Sequence, residues 1–330
     1  MESILPQGLT MRPATLDDID MLYSLSHDYD VSQYGADGEE EYTREDIRII
    51  FSGPDVNLER DTRLVFDREG RLVGSLFLED HKHAKFFVTT RIHPGYSNPR
   101  LGDYLVGLGE AWARERMAQA EPGVRVTIGC WMPTTDSAAI ARYERAGFQE
   151  VRRHWRMEIE LNEEPAAPVW PDGVELRPFV PERDNYAVYR AIETAFEDHW
   201  GHVSHTFEQW QHWTVERSDF DPSLWFIAWE GEQVAGGSLC VIEGQWGWVS
   251  TLGVLRAWRR KGLGMALLQH SFDEFYRRGL RKAGLGVDSQ NLTGATRLYR
   301  RAGMHVARET ITYEKELRVG VELSTQTLAV

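Results

Sequence analysis

The sequence predicts an α/β protein made of two tandem domains, each an α+β mixed sheet with helices on both faces. The chain has 330 residues, a length that suits two domains of ordinary size. Its two halves can also be aligned with an offset of about 160 residues. Hydrophobic residues at 42% and charged residues at 27% are typical of globular proteins, so each half should bury its own core.

The alignment preserves the order of the elements. Each half begins with a strand and two helices and continues with three antiparallel strands. The first two of these strands surround an acidic, glycine-containing turn, as a β-hairpin requires. The aligned segments are 9–20 with 174–185, 64–78 with 225–241, 86–96 with 248–258, and 138–148 with 294–304.

A long helix follows the antiparallel strands in each half. Apolar residues at spacings of three and four predict its buried face. They are Leu101, Leu105, Leu108 and Trp112 in the first half and Met265, Leu268, Phe272 and Phe275 in the second. Strands at 122–131 and 281–288 then precede a short helix, which in the second half begins near Asn291 and stops at Gly303. One or more strands close each half.

Residues 162–173 separate the halves. The segment NEEPAAPVWPDG contains three prolines and no apolar periodicity, and we interpret it as a linker. The predicted domains are therefore residues 1–161 and residues 174–330.

The composition argues against several classes of function. A formal charge of −14 and an isoelectric point of about 5.3 oppose general binding to nucleic acid or to an anionic membrane surface. The sequence has neither a signal-like N-terminal stretch nor a run of about 18 apolar residues, so we expect a cytoplasmic protein. Cys130 and Cys240 have no partner at metal-ligand spacing, which predicts two buried thiols and no metal site.

This acidic chain nevertheless gathers positive charge in the stretch RAWRRKGLGMALL. Arg259, Arg260 and Lys261 stand directly before Gly262 and Gly264, and a helix-forming run follows. A glycine turn at a helix N-terminus exposes backbone N–H groups and lets an oxygen-rich anion approach them. We therefore predict a pyrophosphate-binding site; the alternative is a solvated basic turn.

Two motifs resemble a known family. Residues 259–264 have the form Arg/Gln-x-x-Gly-x-Gly/Ala, and GVDSQNLTGATRLYRRAGM follows at 286–304. Together they resemble the acetyl-CoA-binding and substrate-side motifs of the GNAT acyltransferase superfamily. Because the resemblance covers both halves, the chain looks like a tandem GNAT protein, and AFEDHWGHVSHTFEQW is similar to the mycothiol synthase-like group.

The resemblance implies a V-shaped cleft in which the pantetheine arm of acetyl-CoA pairs with a strand edge. It also implies that the amides from residue 260 to residue 265 bind the pyrophosphate. A bulge near Gly253 is expected to turn an N–H toward the thioester carbonyl. The predicted cofactor-binding residues are Leu252, Gly253, Val254, Arg259, Arg260, Lys261, Gly262, Leu263, Gly264, Met265 and Asn291.

The reaction implied by the resemblance is direct attack of an amine on the thioester. The protein must then accept a proton, stabilise an oxyanion and protonate the departing thiolate. Tyr299 matches the family's proton donor; its alternative role is to pack beside Leu298 and Ala302. Asn291 matches a cofactor contact, and its alternative role is to cap a helix.

The sequence leaves the general base open. Many relatives carry a Glu on the strand face where this chain has Trp248, Ser250 and Leu252, so we expect a more distant base acting through water. The catalytic candidates besides Tyr299 are Asp288 and Glu197, and the predicted acceptor-binding residues are Asp198, His199, His202, Trp248 and Ser250. For the charged candidates the alternative is surface charge or loop structuring.

The aligned turn of the first half is degenerate. Ser97 replaces the leading Arg or Gln, Pro99 removes an N–H, and Arg100 stands at the first glycine position. The tyrosine is retained as Tyr143, whereas Thr135 stands at the Asn position. We therefore expect the first half to bind acetyl-CoA weakly or not at all.

The sequence thus predicts an acetyl-CoA-dependent N-acetyltransferase that acts on a primary amine of a small molecule through its second domain. We expect a monomer or homodimer without a nucleic-acid partner. One alternative is acetylation of a protein N-terminus or lysine, which an open groove would favour over a pocket closed by residues 197–213. The other is a non-catalytic acyl-CoA sensor.

Overall fold

The computed structural model describes residues 4–35, 42–291 and 293–323. These residues form two compact units. The first contains residues up to Arg152 together with Thr310–Leu323, and the second contains Arg153–Glu309. Both units are mixed α/β, which confirms the predicted fold class.

The first unit contains the elements predicted for the first half and one short additional helix, α3. They are β1 (Thr10–Arg12), α1 (Ile19–Tyr34), α2 (Arg44–Phe51), α3 (Leu58–Asp61), β2 (Thr62–Phe66), β3 (Leu72–His81), β4 (Lys85–Ile92), α4 (Pro99–Arg116), β5 (Val126–Pro133) and α5 (Ser137–Arg145). The next strand, β6 (Gln149–Glu160), begins here and continues into the second unit.

The second unit repeats this order without an α-helix that corresponds to α3. Its elements are β7 (Glu175–Pro178), α6 (Asn185–Phe196), α7 (Phe207–Trp213), β8 (Trp225–Glu230), β9 (Gln233–Glu243), β10 (Trp246–Val254), α8 (Leu263–Arg277), β11 (Lys282–Asp288), α9 (Ala295–Arg301) and the start of β12 (His305–Arg318). Its strands are ordered β7-β8-β9-β10-β11-β6, with a parallel β10–β11 pair and antiparallel pairs elsewhere.

The two units exchange their closing strands. In the second unit β6 pairs with β11, from Lys282 opposite Glu160 to Asp288 opposite His154. In the first unit β12 pairs with β5. The predicted domains, 1–161 and 174–330 around a linker at 162–173, follow chain order and therefore divide the strands differently. Alternation of side chains identifies a strand and its faces but does not specify the edge that it joins.

The buried faces predicted for α4 and α8 are confirmed except at Met265, which is partly exposed and lies outside the core of the second unit. Leu101, Leu105, Leu268, Phe272 and Phe275 are buried, and Leu108 and Trp112 pack against the core of the first unit. Each fully buried Leu or Phe contributes about 1.5–3 kcal/mol. A β-carbon on Gly247 would collide with the ring of Phe275, so the glycine allows α8 to pack directly on β10.

Among the described residues, no helix combines the length and the apolar character needed to cross a membrane. The same part of the chain contains no group of three or more His, Cys, Asp or Glu residues that could hold a metal ion. Cys130 and Cys240 are buried thiols. Burial raises the pKa of Cys240 to about 11, so this thiol is protonated and unreactive near neutral pH.

Candidate active site

The site begins where β10 and β11 diverge. The two strands pair only from Trp246 opposite Lys282 to Trp248 opposite Gly284. Beyond that point β11 stays paired with β6 up to Asp288, and β10 stays paired with β9 up to Val254. The edge of β10 that faces β11 is consequently open over residues 249–254, and an extended chain can add to such an edge.

The irregularity in β10 lies at Ser250, not near Gly253 as expected. Val249 pairs with Cys240 and Thr251 pairs with Leu239, which leaves Ser250 as the extra residue. Gly253 pairs regularly with Gly237. A glycine in a strand does not by itself predict a bulge. Glycine is also found where another element packs too closely on the strand to leave room for a side chain.

That close approach explains Gly253. A β-carbon at this position would lie 3.1 Å from a side-chain carbon of Ile192 and 3.2 Å from the β-carbon of Ala195. Both residues belong to α6. Gly253 therefore lets the C-terminal half of α6 lie directly over the end of β10.

The turn before α8 presents a row of backbone N–H groups. Arg260 has φ 63°, and Gly262 has φ 94° and precedes the first residue of the helix. The amides of Met265 and Ala266 donate to the carbonyl of Gly262. The amides of residues 260–264 donate to no acceptor among the described residues, so they can bind an anion at the positive end of the helix dipole.

The two glycines of this turn serve different purposes. A β-carbon on Gly262 would meet nothing within 4 Å, whereas the positive φ is one that L side chains rarely adopt. A β-carbon on Gly264 would lie 3.0 Å from Leu298 of α9 and 3.7 Å from Val254. Gly262 thus shapes the turn, and Gly264 lets α8 pack close to β10 and α9.

Asp198 holds two arginines of the turn. Its carboxylate accepts hydrogen bonds from Nε and Nη2 of Arg256, the first at 3.0 Å, and from Nη1 of Arg259 at 2.6 Å. The Asp198 side chain is only 3% exposed. The hydrogen bonds from Arg256, followed by those from Arg259, outweigh burial and lower its pKa to about 2.

Arg259 also binds the backbone on both sides of the site. Its Nε donates to the carbonyl of Val254 at 2.9 Å, and its Nη2 donates to the carbonyl of Ala195 at 3.0 Å. We predicted from the sequence that Arg259 binds the cofactor and Asp198 the acceptor, but the structure joins them to each other. Arg260 and Lys261 have exposed side chains at the helix start.

Tyr299 and Asn291 lie in the segment that follows β11, in α9 and in the turn before it. Tyr299 lies on α9 and is 6% exposed, and burial raises its pKa to about 12. The side-chain oxygen of Asn291 accepts hydrogen bonds from the amides of Thr293 at 2.9 Å and Ala295 at 3.3 Å. Asn291 therefore orders the turn that leads into α9, while Gly294 is the N-cap residue of that helix.

Glu193 is a functional candidate that the sequence reasoning missed. Its two carboxylate oxygens lie 3.4 Å from Nε2 of His202 and 3.2 Å from Nδ1 of His205. Burial acts to raise the pKa of Glu193, but its histidine partners bring it down to about 2. Helical spacing could have found it, because Glu193 precedes the predicted Glu197 by four residues. The side chain of Glu197 itself is exposed.

His199 lies three residues beyond the end of α6. Its ring centroid is 4.1 Å from that of Phe196. Burial, assisted by His202 and Arg259, lowers the pKa of His199, while Asp288 and Asp198 oppose the shift. His199 is thus within electrostatic range of α6, the basic turn and the end of β11. An imidazole with a lowered pKa is neutral near pH 7 and can accept a proton.

The remaining predicted residues lie on β10 and β11. The oxygen Oδ1 of Asp288 accepts the amide of Gln290 at 2.9 Å, at the end of β11. The guanidinium of Arg156 lies 4.7 Å from the Trp248 ring centroid, so this ring is held against β6. Ser250, the bulged residue, is exposed.

Comparisons with known proteins agree with this arrangement. Residues 185–304, which run from α6 to just beyond α9, match the acetyltransferase (GNAT) family. A mycothiol acetyltransferase from Streptomyces scabiei is 32% identical over 254 residues, which are 74% of this chain and 75% of that protein. Across three such relatives the matched share of the relative's length is 64% to 75%.

Solved structures extend the likeness to the whole chain. The crystal structure of a GCN5-related N-acetyltransferase from Sphaerobacter thermophilus is 33% identical, has a TM-score of 0.80, and is matched over 98% of this chain and 100% of that one. A tandem GNAT protein from the clavulanic acid biosynthesis pathway has a TM-score of 0.67 at 17% identity, over 95% of this chain and 100% of that chain. The second likeness shows a common fold.

Proposed function

Because the chain belongs to the GNAT acetyltransferase family and is an N-acetyltransferase, we propose that its second unit transfers the acetyl group of acetyl-CoA to a primary amine of a small molecule. The observation that carries the proposal is the row of unbonded amides at residues 260–264, beside the open edge of β10. The small-molecule acceptor is supported by the mycothiol acetyltransferases among the relatives.

The two features suit the two ends of the cofactor. The amides, with the charges of Arg260 and Lys261, bind the pyrophosphate, since a helix N-terminus attracts an anion through its unpaired N–H groups and its dipole. The pantetheine arm carries amide groups, which pair with the open edge of β10 as an added strand would. The thioester then lies near Gly253, below α6.

The chemical step requires one net proton transfer from nitrogen to sulfur. The amine nitrogen attacks the thioester carbonyl carbon, the new C–N bond forms, and the C–S bond breaks with its electron pair on sulfur. Tyr299 gives a proton to that sulfur. Its pKa of about 12 keeps the hydroxyl protonated and neutral near pH 7, so the hydroxyl has a proton to donate.

His199 accepts the proton that the amine releases, directly or through one water. Burial keeps the imidazole neutral, and the ring lies against Phe196 on the helix that covers Gly253. The carboxylate of Glu193 holds the ring of His202 near His199. Glu193 therefore acts as a positioning residue for the base. Solvent then returns a proton to Tyr299 and removes one from His199, so both residues regain the protonation states in which they began.

A matched pair of glycine variants tests the cofactor site. Gly262 and Gly279 both have positive φ, and a β-carbon on either meets nothing within 4 Å, so Gly262→Ala and Gly279→Ala carry the same backbone strain. Calorimetry should show that Gly262→Ala weakens acetyl-CoA binding about tenfold or more, because the turn no longer aims its amides at the anion. Gly279→Ala should bind as the wild type does.

Equal affinities in the two variants would remove this turn as the cofactor site. Binding of acetyl-CoA without its consumption across a panel of small amines and a lysine peptide would instead indicate a non-catalytic acyl-CoA sensor. Consumption with the peptide alone would indicate a protein acetyltransferase.

A further inference from the structure

Gly286 is a glycine that the fold of the second unit does not require. It lies within β11, and the pairing of β11 with β6 runs without irregularity from Lys282 to Asp288. Its φ is not positive. A β-carbon on Gly286 would meet nothing within 4 Å, which is true of no other glycine inside the described strands. Gly286 therefore marks neither a bulge, nor a left-handed backbone, nor the close approach of another element.

Gly286 lies on the face of β11 that is turned away from α8. Its neighbours Leu285 and Val287 are buried in the core to which α8 contributes, and successive residues of a strand point to opposite faces. Gly286 is exposed although β11 is an inner strand, between β10 and β6. An opening thus reaches the backbone of an inner strand. A strand glycine without a structural role often marks a place where a ligand approaches the backbone.

Large side chains surround this exposed backbone. A β-carbon on Gly284 would lie 2.5 Å from a ring carbon of Trp248, so the indole covers Gly284, and Gly286 follows two residues later on the same face. Arg156 of β6 pairs directly with Gly286, and its guanidinium carbon lies 4.7 Å from the ring centroid of Trp248. Asp288 follows on the same face at the end of β11. We call the floor at Gly286, between Trp248, Arg156 and Asp288, the Gly286 trough.

The Gly286 trough borders the gap between β10 and β11. Trp248 opposite Gly284 is the last pair of these two strands, so Gly286 is the second residue of β11 beyond the point where they part. The open edge of β10, which we propose receives the pantetheine arm, faces β11 across this gap. The turn at residues 260–264 follows the other end of β10. A ligand on Gly286 therefore lies beside the arm of the cofactor and away from its pyrophosphate.

The first unit fills the equivalent place with a side chain. Its last β4–β5 pair joins Phe87 to Gly129. A β-carbon on this glycine would lie 3.2 Å from the phenyl ring, so the ring covers the glycine as the indole does in the second unit. Trp131 follows Gly129 by two residues and thus stands at the position of Gly286. It lines the opening of the first unit. The same place in the repeated fold therefore holds an indole in the first unit and no side chain in the second.

The absence of an indole indicates the size and shape of the ligand. The backbone at Gly286 and the ring of Trp248 beside it leave room for a flat body about as large as an aromatic ring. We propose that Gly286 determines the specificity of the acceptor site, and that the acceptor is a primary amine whose ring lies on Gly286 beside Trp248. The amine then extends from the ring toward the thioester. This inference rests on the function proposed for the second unit and specifies the class of its acceptor.

Two amines that differ only by a ring test the trough. The probes are 2-phenylethylamine and ethylamine, which share the aminoethyl group. With saturating acetyl-CoA, the full-length wild type should show a kcat/KM for 2-phenylethylamine about tenfold or more above that for ethylamine. Gly286→Trp places in the trough the side chain that the first unit has there. It should abolish this preference by raising the KM for 2-phenylethylamine about tenfold or more, while calorimetry shows an unchanged affinity for acetyl-CoA.

A matched variant and a melting curve control for effects on the fold. Glu160→Trp adds the same ring at an exposed position of β6 opposite Lys282, on the same face and about 13 Å along the strands from Gly286. It should leave the preference unchanged. Gly286→Trp should melt at or above the Tm of the wild type, because tryptophan is favoured in strands and meets no neighbour there. A clear fall in Tm would show that the fold requires this glycine and would overturn the proposal.

Binding is measured separately from turnover. With CoA present, saturation-transfer difference NMR at millimolar 2-phenylethylamine should show the ring protons in contact with the wild type but not with Gly286→Trp. If this result came with no consumption of acetyl-CoA by the wild type, it would contradict the proposed acetyl transfer and retain the trough as a ligand site.

Three results would overturn the inference itself. They are an unchanged preference in Gly286→Trp, unchanged ring signals in that variant, and the failure of 2-phenylethylamine to bind the wild type. Consumption of acetyl-CoA with ethylamine would in each case still support the function proposed for the second unit.

Discussion

Asp198 and Arg259 form an ion pair with an oxygen–nitrogen distance of 2.6 Å, buried on the side of the carboxylate, and this pair fixes the turn before α8 to the end of α6. Arg259 reaches from the carboxylate to the carbonyls of Val254 and Ala195. The proposed cofactor turn and the helix over the thioester position are therefore held by one guanidinium.

Replacing Asp198 tests this connection. Asp198→Asn should lower the free energy of unfolding by about 2 kcal/mol, because it leaves a partly buried guanidinium without its counter-charge. Asp273→Asn, which removes a pair with the 57% exposed Arg277, should cost less than about 0.5 kcal/mol. Urea unfolding of the two variants measures the difference. Equal losses would show that the Asp198 pair is no stronger than a surface pair.

The same carboxylate predicts a pH dependence. Hydrogen bonds from Arg256 and then Arg259 lower the pKa of Asp198 from 3.8 to about 2. Its stabilising contribution is therefore present above pH 3.8 and is lost as the pH falls toward 2. Between these values the stability of the wild type should decline more steeply than that of Asp198→Asn. Parallel decline in thermal melts over this range would contradict the assignment.

Tyr299→Phe tests the proton donor. Turnover should fall about 100-fold, while the affinity for acetyl-CoA changes little, because the hydroxyl acts on the thiolate only as it departs. Tyr276→Phe, a tyrosine of the same unit that is partly buried against its core, is the control and should retain full turnover. Unchanged turnover in Tyr299→Phe would exclude this residue as the acid.

His199→Asn tests the base. In the wild type, kcat/KM should remain high down to a pH below the ordinary histidine pKa of 6.5, since burial lowers the pKa of His199 and only the neutral ring accepts a proton. In His199→Asn, the decline of kcat/KM on the acidic side of the pH profile, the acidic limb, should disappear. The value of kcat/KM should also fall about 100-fold. His270→Asn serves as the matched control, because burial also lowers the pKa of His270 but the residue packs against Trp170 and Phe226.

Glu193→Gln should shift the acidic limb of this pH profile without abolishing activity, as expected of a positioning residue. A profile identical to that of the wild type would show that the Glu193–His202 contact has no part in the reaction.

Strand exchange predicts which fragment folds. Residues 153–309 include the part of β6 that pairs with β11, His154–Glu160, and should unfold cooperatively as a monomer. Residues 174–330 lack β6, leave the edge of β11 unpaired and should aggregate, because an unpaired strand edge recruits other strands. Size-exclusion chromatography and thermal circular dichroism compare them. A monomeric, cooperative 174–330 alongside an aggregating 153–309 would contradict the exchange.

Local signals made much of the fold predictable. The succession of strand, glycine turn and helix from β10 to α8 depends on β-propensity, positive φ and apolar spacing, all of which are visible within a few residues. The candidate cofactor turn was located for the same reason. The buried stripe of α8 followed from the 3.6-residue period alone.

What the sequence could not supply was pairing between distant residues. The partners of Asp198 lie 58 and 61 positions away, so a carboxylate that neutralises two arginines looked like a substrate contact. Asn291 carries no local mark that separates a residue that orders a turn from one that contacts a ligand. Likewise, the periodic patterns of β6 and β12 define their faces but not their neighbours.

The exchanged closing strand also governs the order in which a nascent chain can mature. Every residue of the described second unit has been synthesised once Glu309 leaves the ribosome, whereas the first unit must wait for Thr310–Leu323, since β5 pairs with β12 residues from Thr310 onward. Translation usually lets the earlier domain mature first. Here the later one is complete first, and the earlier one keeps an unfinished sheet until Thr310–Leu323 have also been made, so β5 stays exposed to aggregation, which chaperones prevent, for longer than the strands of the later unit.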